Sequence, residues 1–315
     1  MDTTTSVSTA GPGGLVAEVR VAWRRTWGGR LMPILLAATA LLLVAVRFTA
    51  PVPAGAVHGE VARLQSANEI IGFAVLVAAL ISAYRLLSPD IRGEFESLSL
   101  RGAAGPLAFA AGRVLVGIGG LLLAIAVLGA VVEVMDLGGI YKRDEAVHLA
   151  VFAGNAISLF MLALALMCAF GRIVGLIAPA VMYAIGADAA YQRAALADGF
   201  IAQTPFYWAE ELIAWLLPRP LVDPFTGIAL MDQSAALEQF PIRQGHFVWG
   251  WDLIQVSGAA DLFAYAFYLV TLAGLFYIAC LLRRAQARSR FVPVASWLGR
   301  READRDVANT GHPGG

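Results

Sequence analysis

The sequence predicts an all-α, polytopic membrane protein with six transmembrane helices. Of its 315 residues, 59% are hydrophobic and only 15% are charged, whereas soluble domains are about 45–50% apolar and about 25% charged. The mean hydropathy is +0.70. Several apolar runs reach the ~20 residues that a helix needs to cross a bilayer, and lipid offers the backbone of such a run no other hydrogen-bond partner. This composition excludes an ordinary soluble enzyme and a disordered chain.

The balance of charges and the cysteine spacing exclude further classes. The chain carries 23 basic and 23 acidic side chains, so no overall positive field favours a nucleic-acid partner. Cys168 and Cys280 both lie in apolar runs and lack the spacing of a zinc site or a disulfide framework. We therefore expect no nucleic-acid partner and no metal.

The first predicted element is a helix on the membrane surface, over residues 15–27, after a flexible tail at 1–14. Helical spacing puts Trp23 and Trp27 on an apolar side, and it puts Glu18, Arg24 and Arg25 on the polar side. Tryptophans opposite arginines are typical of an interfacial helix. A plain cytoplasmic extension of the first span is the alternative.

Six apolar runs predict the spans of a single membrane domain over residues 15–288, which a second flexible tail follows at 289–315. The runs cover residues 31–48, 70–87, 114–132, 149–170, 173–191 and 262–282. The fifth needs residues 189–191, beyond Asp188, to reach a spanning length. With both termini in the cytoplasm, most Lys and Arg residues lie inside, as the positive-inside rule requires. We expect a multi-pass protein of the inner (plasma) membrane.

The loop between the second and third spans, 88–106, predicts a short cytoplasmic helix. Ile91, Phe95 and Leu98 recur at helical spacing, and so short a helix needs a surface to pack against. The carboxylates of Glu94 and Glu96 make contact with the anionic headgroups of the inner leaflet unfavourable. Docking on a soluble partner is therefore the preferred interpretation, and a helix resting on headgroups is the alternative.

The longest loop, 188–257, lies outside in this topology. Residues 206–217 have apolar side chains at helical spacing, and residues 246–252 (HFVWGWD) add two tryptophans. Both pieces predict short helices in an outer insertion before the last span. They either cap a pore or only anchor aromatic side chains at the headgroups, and the sequence leaves both open.

The sequence holds no motor or hydrolytic site of its own. Its one lysine, Lys142, is not followed by the Ser or Thr of a phosphate-binding loop. The four histidines are scattered without metal-ligand spacing. Asn155 and Ser158 in the fourth span are explained by hydrogen bonds between helices. We expect no enzyme activity and no cofactor in this chain.

The layout of elements, together with one motif, resembles the type-2 ABC exporter permeases. The stretch Gly-Glu-Phe-Glu-Ser-Leu at 93–98, followed by Gly112-Arg113, is similar to the family's cytoplasmic Gly-Thr-Leu-Glu-x-Leu and later Gly-Lys. Glu94 stands where the family has threonine, and Arg113 stands where it has lysine. The proline-rich residues 216–220 and 223–225 are similar to the family's outer segment.

This resemblance implies a dimer of permeases with two cytoplasmic ATPase subunits, which hold the ATP and Mg. The expected ATPase-docking residues are Arg92, Glu94, Phe95, Glu96, Leu98 and Arg101, with Phe and Leu filling a groove and the charges at its rim. Because the spans lack charges for a small ion, the expected substrate is amphipathic or lipid-like.

Two other functions stay open. Some ABC permeases pass movement to a periplasmic partner, as in copper-site assembly, and the loop 188–257 is long enough to serve such a partner. The second alternative is a membrane scaffold or carrier that does not depend on ATP.

Overall fold

The computed structural model describes residues 12–49, 57–87, 93–95, 105–137, 142–197, 221–222, 248–249 and 266–287. Within them the long helices are α1 (Pro12–Trp27), α2 (Leu31–Thr49), α3 (Val57–Leu86), α4 (Gly105–Val134), α5 (Lys142–Phe170), α6 (Arg172–Ala197) and α7 (Ala266–Ala287). Two strands of two residues each, β1 (Leu221–Val222) and β2 (Val248–Trp249), pair antiparallel. Apart from this pair and the turns at the helix ends, the described chain is helical.

Five helices are long and apolar enough to cross a membrane. They are α2, the Ser66–Leu86 part of α3, α4, the Phe152–Phe170 part of α5, and α7. This result supports a membrane-embedded protein, and the five helices coincide with five of the six predicted spans.

The predicted span at 173–191 is not confirmed, although its residues form most of α6. The side chains of this helix are described over Arg172–Ile185, and this apolar stretch is shorter than the 18 residues that a candidate span requires. The apolar run stops before Asp188, whereas the helix continues to Ala197.

Helix α5 occupies the centre of the bundle. In its apolar window 67% of the residues are buried, against 17% in α2. It packs against α3, α4 and α6, and it meets α7 near Cys168. The outer helices instead expose apolar side chains, such as Leu41 on α2 and Phe267 on α7, as expected for surfaces that face lipid.

The glycines of α4 allow its neighbours to approach closely. A Cβ atom at Gly112 would lie 2.9 Å from the Glu18 Cβ of α1. At Gly117 it would overlap the Phe160 ring of α5, and at Gly120 the Trp27 indole. Small residues at such crossings let helix backbones come together. The three glycines therefore fix α4 between α1 and α5.

Helices α5 and α6 form a hairpin around Gly171. This residue has a φ of +99°, which an L side chain rarely adopts, and its amide donates to the Met167 carbonyl at 3.0 Å. The Gly171–Gly175 pair predicts close helix packing. Of the two glycines, only Gly175 is in close contact with the neighbouring helix, at Met167 of α5. A Cβ atom at Gly171 would have no neighbour within 4 Å. Gly171 ends α5 instead.

The outer insertion departs from the helical prediction where it is described. Val248 and Trp249, within the HFVWGWD run, pair as a strand with Val222 and Leu221. Residues with β-branched and aromatic side chains fit extended pairing well, and this preference prevails over the short helical pattern. Residues 206–217 lie outside the described part of the chain.

Candidate functional site

Helix α1 includes the predicted residues 15–27 and extends back to Pro12, into the predicted tail, but it turns a different face to the bundle. It begins at Pro12, since proline suits the first turn of a helix. Glu18, predicted on the polar side facing water, is only 7% exposed and lies against α4, whereas Val16 and Trp23 are exposed. The polar face of α1 is thus partly its buried face.

The reason is a buried arginine, Arg113, near the start of α4. Its side chain is 2% exposed, and its guanidinium donates to a Glu18 carboxylate oxygen and, at 2.8 Å, to Glu94 Oε1. Arg25 of α1 donates to the same Glu94 oxygen at 2.5 Å. We call Glu18, Arg25, Glu94 and Arg113 the ion quartet. Its charges cancel, which is the condition for keeping an arginine buried.

An aromatic contact packs residues 93–95 against α4. Phe95 is 2% exposed, and its ring centroid lies 5.5 Å from that of Phe109 on α4. The Arg113 guanidinium lies 3.6 Å from the Phe109 centroid, a cation–π geometry. Residues 93–95, which are helical, are therefore fixed to α4 by apolar packing and to α1 and α4 by one carboxylate.

The predicted ATPase-docking residues separate into two groups. Glu94 and Phe95 face the bundle in this structure, and their side chains serve internal contacts. The other four docking residues lie outside the described residues, so their role stays a prediction: Arg92, Glu96, Leu98 and Arg101. Sequence reasoning missed the partnership of Glu94 with Arg113, although Gly112 beside Arg113 marks where another backbone comes close.

The predicted interfacial residues also divide. Trp23 and Trp27 stack with ring centroids 5.6 Å apart; Trp23 is exposed and Trp27 is half-buried against Gly120. Arg24 lines a cleft described below, and Arg25 joins the ion quartet. A surface position for α1 stays a prediction.

Further arginines gather at this end of the bundle. Arg172 of α6 donates to the Tyr84 carbonyl of α3 at 2.6 Å, and its guanidinium lies over the Tyr84 ring. Arg283 of α7 donates to the Cys168 and Ala169 carbonyls at 2.8 and 2.7 Å, satisfying the end of α5. We call this the arginine-rich end, and the predicted topology would place it in the cytoplasm.

Two features of α5 bear on chemistry inside the bundle. Ser158 donates to the Asn155 carbonyl within α5 at 2.9 Å, so the predicted hydrogen bond between helices is wrong for this hydroxyl. Cys168 and Cys280 are free and buried, with sulfur atoms 3.9 Å apart. Within the described residues, no group of three His, Cys, Asp or Glu side chains could hold a metal.

Comparisons with family models, curated proteins and solved structures gave no match to this chain. The resemblance to type-2 ABC exporter permeases therefore depends on the residues and layout given above.

Proposed function

We propose that this chain is the membrane subunit of an ABC exporter, moved by ATP that a separate cytoplasmic subunit hydrolyses. The observation that carries the proposal is the double attachment of Glu94. One carboxylate oxygen accepts from Arg25 of α1 and from Arg113 of α4. A push on residues 93–95 is thereby passed to two helices at once.

The packing around α4 extends this coupling into the bundle. Phe95 presses on Phe109 at the start of α4, and α4 meets the central α5 through Gly117 and Phe160. Protein interiors are close-packed and transmit displacement rather than absorb it. A movement at the cytoplasmic segment therefore reaches the middle of the membrane domain.

In this proposal the docking segment has an inner and an outer face. Glu94 and Phe95 anchor the inner face, and Arg92, Glu96, Leu98 and Arg101 contact the ATPase. Two copies of the chain work with two ATPase subunits, which hold ATP and Mg. The complex lies in the inner membrane with both termini of each chain in the cytoplasm.

The proposed substrate is amphipathic or lipid-like. In the middle of α5, the described side chains from Leu159 to Ala165 are apolar and buried. The ion quartet and the other arginine contacts lie at one end of the bundle. A small ion needs charged or carbonyl ligands along its path, whereas an apolar interior suits a substrate with its own hydrocarbon.

Photo-crosslinking tests the ATPase partnership. A photoreactive amino acid at Leu98 is expected to capture a soluble ATPase in the native membrane, and the purified complex is expected to show vanadate-sensitive ATP hydrolysis. Val134, 77% exposed at the other end of α4, is the matched control position and is expected to give no such product.

Three outcomes separate the proposal from its alternatives. Equal capture from Leu98 and Val134, or hydrolysis insensitive to vanadate, contradicts the ABC assignment. Absence of any ATPase favours a scaffold or an energy-independent carrier. An ATPase product combined with a periplasmic protein retained only when residues 188–257 are present favours transmission of movement to that partner.

A further inference from the structure

A second group of arginines at the arginine-rich end surrounds an open cleft. Arg25 belongs both to this group and to the ion quartet. The cleft has a volume of about 720 Å³ and lies where the α1–α2 turn, the end of α3 and the start of α6 meet. Four arginines line it: Arg24, Arg25, Arg85 and Arg172. None of its described lining residues is acidic, and although Arg25 is paired with Glu94, the other three arginines concentrate positive charge in the cleft.

Two of the arginines around the cleft, Arg172 and Arg85, have defined surroundings. Arg172 is fixed by its hydrogen bond to the Tyr84 carbonyl and by the Tyr84 ring. The guanidinium of Arg85 lies where a Cβ atom at Gly29 would be, so the glycine turn after α1 makes room for it. Within the described residues, no ion pair is recorded for Arg85 or Arg24.

The rest of the described cleft lining is mainly apolar, and exposed apolar side chains lie near it on α2 and α6. Leu31 on α2 and Leu176 on α6 line the cleft. Beyond them, exposed apolar side chains continue along both helices, with Ile34 on α2 and Ile177 on α6 both more than half exposed. A ligand with an anionic head and hydrocarbon tails matches this combination of a charged mouth and apolar sides.

We propose that the cleft binds the headgroup of an anionic phospholipid, with its acyl chains along α2 and α6. In the expected topology the cleft faces the cytoplasmic leaflet, where anionic lipids and basic pockets between helices meet. A soluble phosphate would satisfy the arginines but would leave Leu31 and Leu176 without a partner. The site does not depend on the proposed ATPase, since it is complete within one chain.

The test uses the delipidated full chain in detergent, titrated with phosphatidylglycerol or phosphatidylcholine and followed by native mass spectrometry. Phosphatidylglycerol is expected to bind more tightly. One arginine near anionic lipid contributes about 1 kcal/mol, so Arg85→Gln is expected to weaken phosphatidylglycerol about fivefold, and Arg24→Gln is a second variant with the same expectation. Arg47→Gln, at the far end of α2, is the matched control and leaves the affinity unchanged.

The outcomes distinguish the possible occupants. Equal binding of the two lipids overturns the proposal, as does a loss in Arg47→Gln equal to that in Arg85→Gln. Displacement of the lipid by millimolar inorganic phosphate assigns the cleft to a free anion and overturns the lipid assignment. Unchanged phosphatidylcholine adducts and elution volume in the variants show that weaker binding does not come from misfolding.

Discussion

At the scale of single residues, Arg113 joins α1, residues 93–95 and α4 at the arginine-rich end. A guanidinium that is 2% exposed is tolerated because two carboxylates and an aromatic ring surround it. Such a buried arrangement contributes little net stability compared with apolar packing, but removing one member leaves the others uncompensated. The ion quartet therefore determines how α1, residues 93–95 and α4 fit together more than how stable they are.

Replacing Arg113 tests this view. Arg113→Gln leaves Glu18 and Glu94 buried without their shared cation, and we expect it to destabilise the protein by about 3–5 kcal/mol. Thermal unfolding in detergent measures the loss, with Arg47→Gln, at the far end of α2, as the control. The triple variant Arg113→Met, Glu18→Gln, Glu94→Gln is expected to recover much of the stability. A single variant as stable as the control contradicts the buried ion pairing.

The two buried thiols give a second residue-scale prediction. Cys168 and Cys280 lie 112 positions apart but their sulfur atoms are 3.9 Å apart. Treatment with a membrane-permeable oxidant is expected to join them, because a thiol pair at this separation needs only a small adjustment. Mass spectrometry should find both thiols protected from alkylation. In Cys168→Ala, Cys280 should stay alkylatable, and free thiols in the oxidised native chain contradict the contact of α5 with α7.

At the scale of elements, α4 is the helix whose sequence is most closely matched to its neighbours. Its glycines are not interchangeable, since each has a different environment. Gly117 lies against Phe160, whereas a Cβ at Gly119 meets nothing within 4 Å. Replacing each glycine by alanine therefore separates the effect of close packing on stability from the effect of helix propensity.

We expect Gly117→Ala to lower stability by about 1–3 kcal/mol, the cost of forcing extra volume into a packed interface. Gly119→Ala should be neutral or should stabilise by up to ~1 kcal/mol, because alanine favours the helix. Paired melting curves under one detergent condition provide the measurement. Equal effects at both positions would show that α4 does not approach α5 as closely as described.

The elements also show what the sequence can and cannot predict. Long apolar runs give α2, α4, α5 and α7 because burial in lipid requires an apolar surface and internal hydrogen bonds. The buried face of α1 could not be found this way, because the buried Glu18 is paired with Arg113, which is 95 positions away. The strand pair at 221–222 and 248–249 likewise depends on a pairing across distant residues.

At the scale of the whole molecule, the fold has an arginine-rich end and a middle region that exposes apolar side chains. Arginines from α1, α3, α4, α6 and α7 gather at one end, and exposed apolar side chains surround the middle. The Phe95 side chain illustrates the limit of sequence reasoning at this scale. Its helical spacing with Leu98 predicts a shared docking face, but the contact with Phe109 turns it inward.

The arginine-rich end is expected to face the cytoplasm, because positive loops are retained there. In a background with Cys168→Ala and Cys280→Ala, Arg30→Cys reports on that end and Val134→Cys on the other. A membrane-impermeant maleimide added to intact cells should label only Val134→Cys, and it should label both after permeabilisation. Labelling of Arg30→Cys in intact cells reverses the topology and removes the ATPase from the proposed docking face.

The ion quartet has a consequence for how the protein is made. Glu18, Arg25 and Glu94 all precede Arg113 in the chain, so the ribosome completes both acids before the buried arginine emerges. When the insertion machinery releases α4, the neutralising groups are already at hand on the same side of the bilayer. The buried Arg113 thus never waits for a later segment of the chain, and the ion quartet is complete once the first 113 residues have been made.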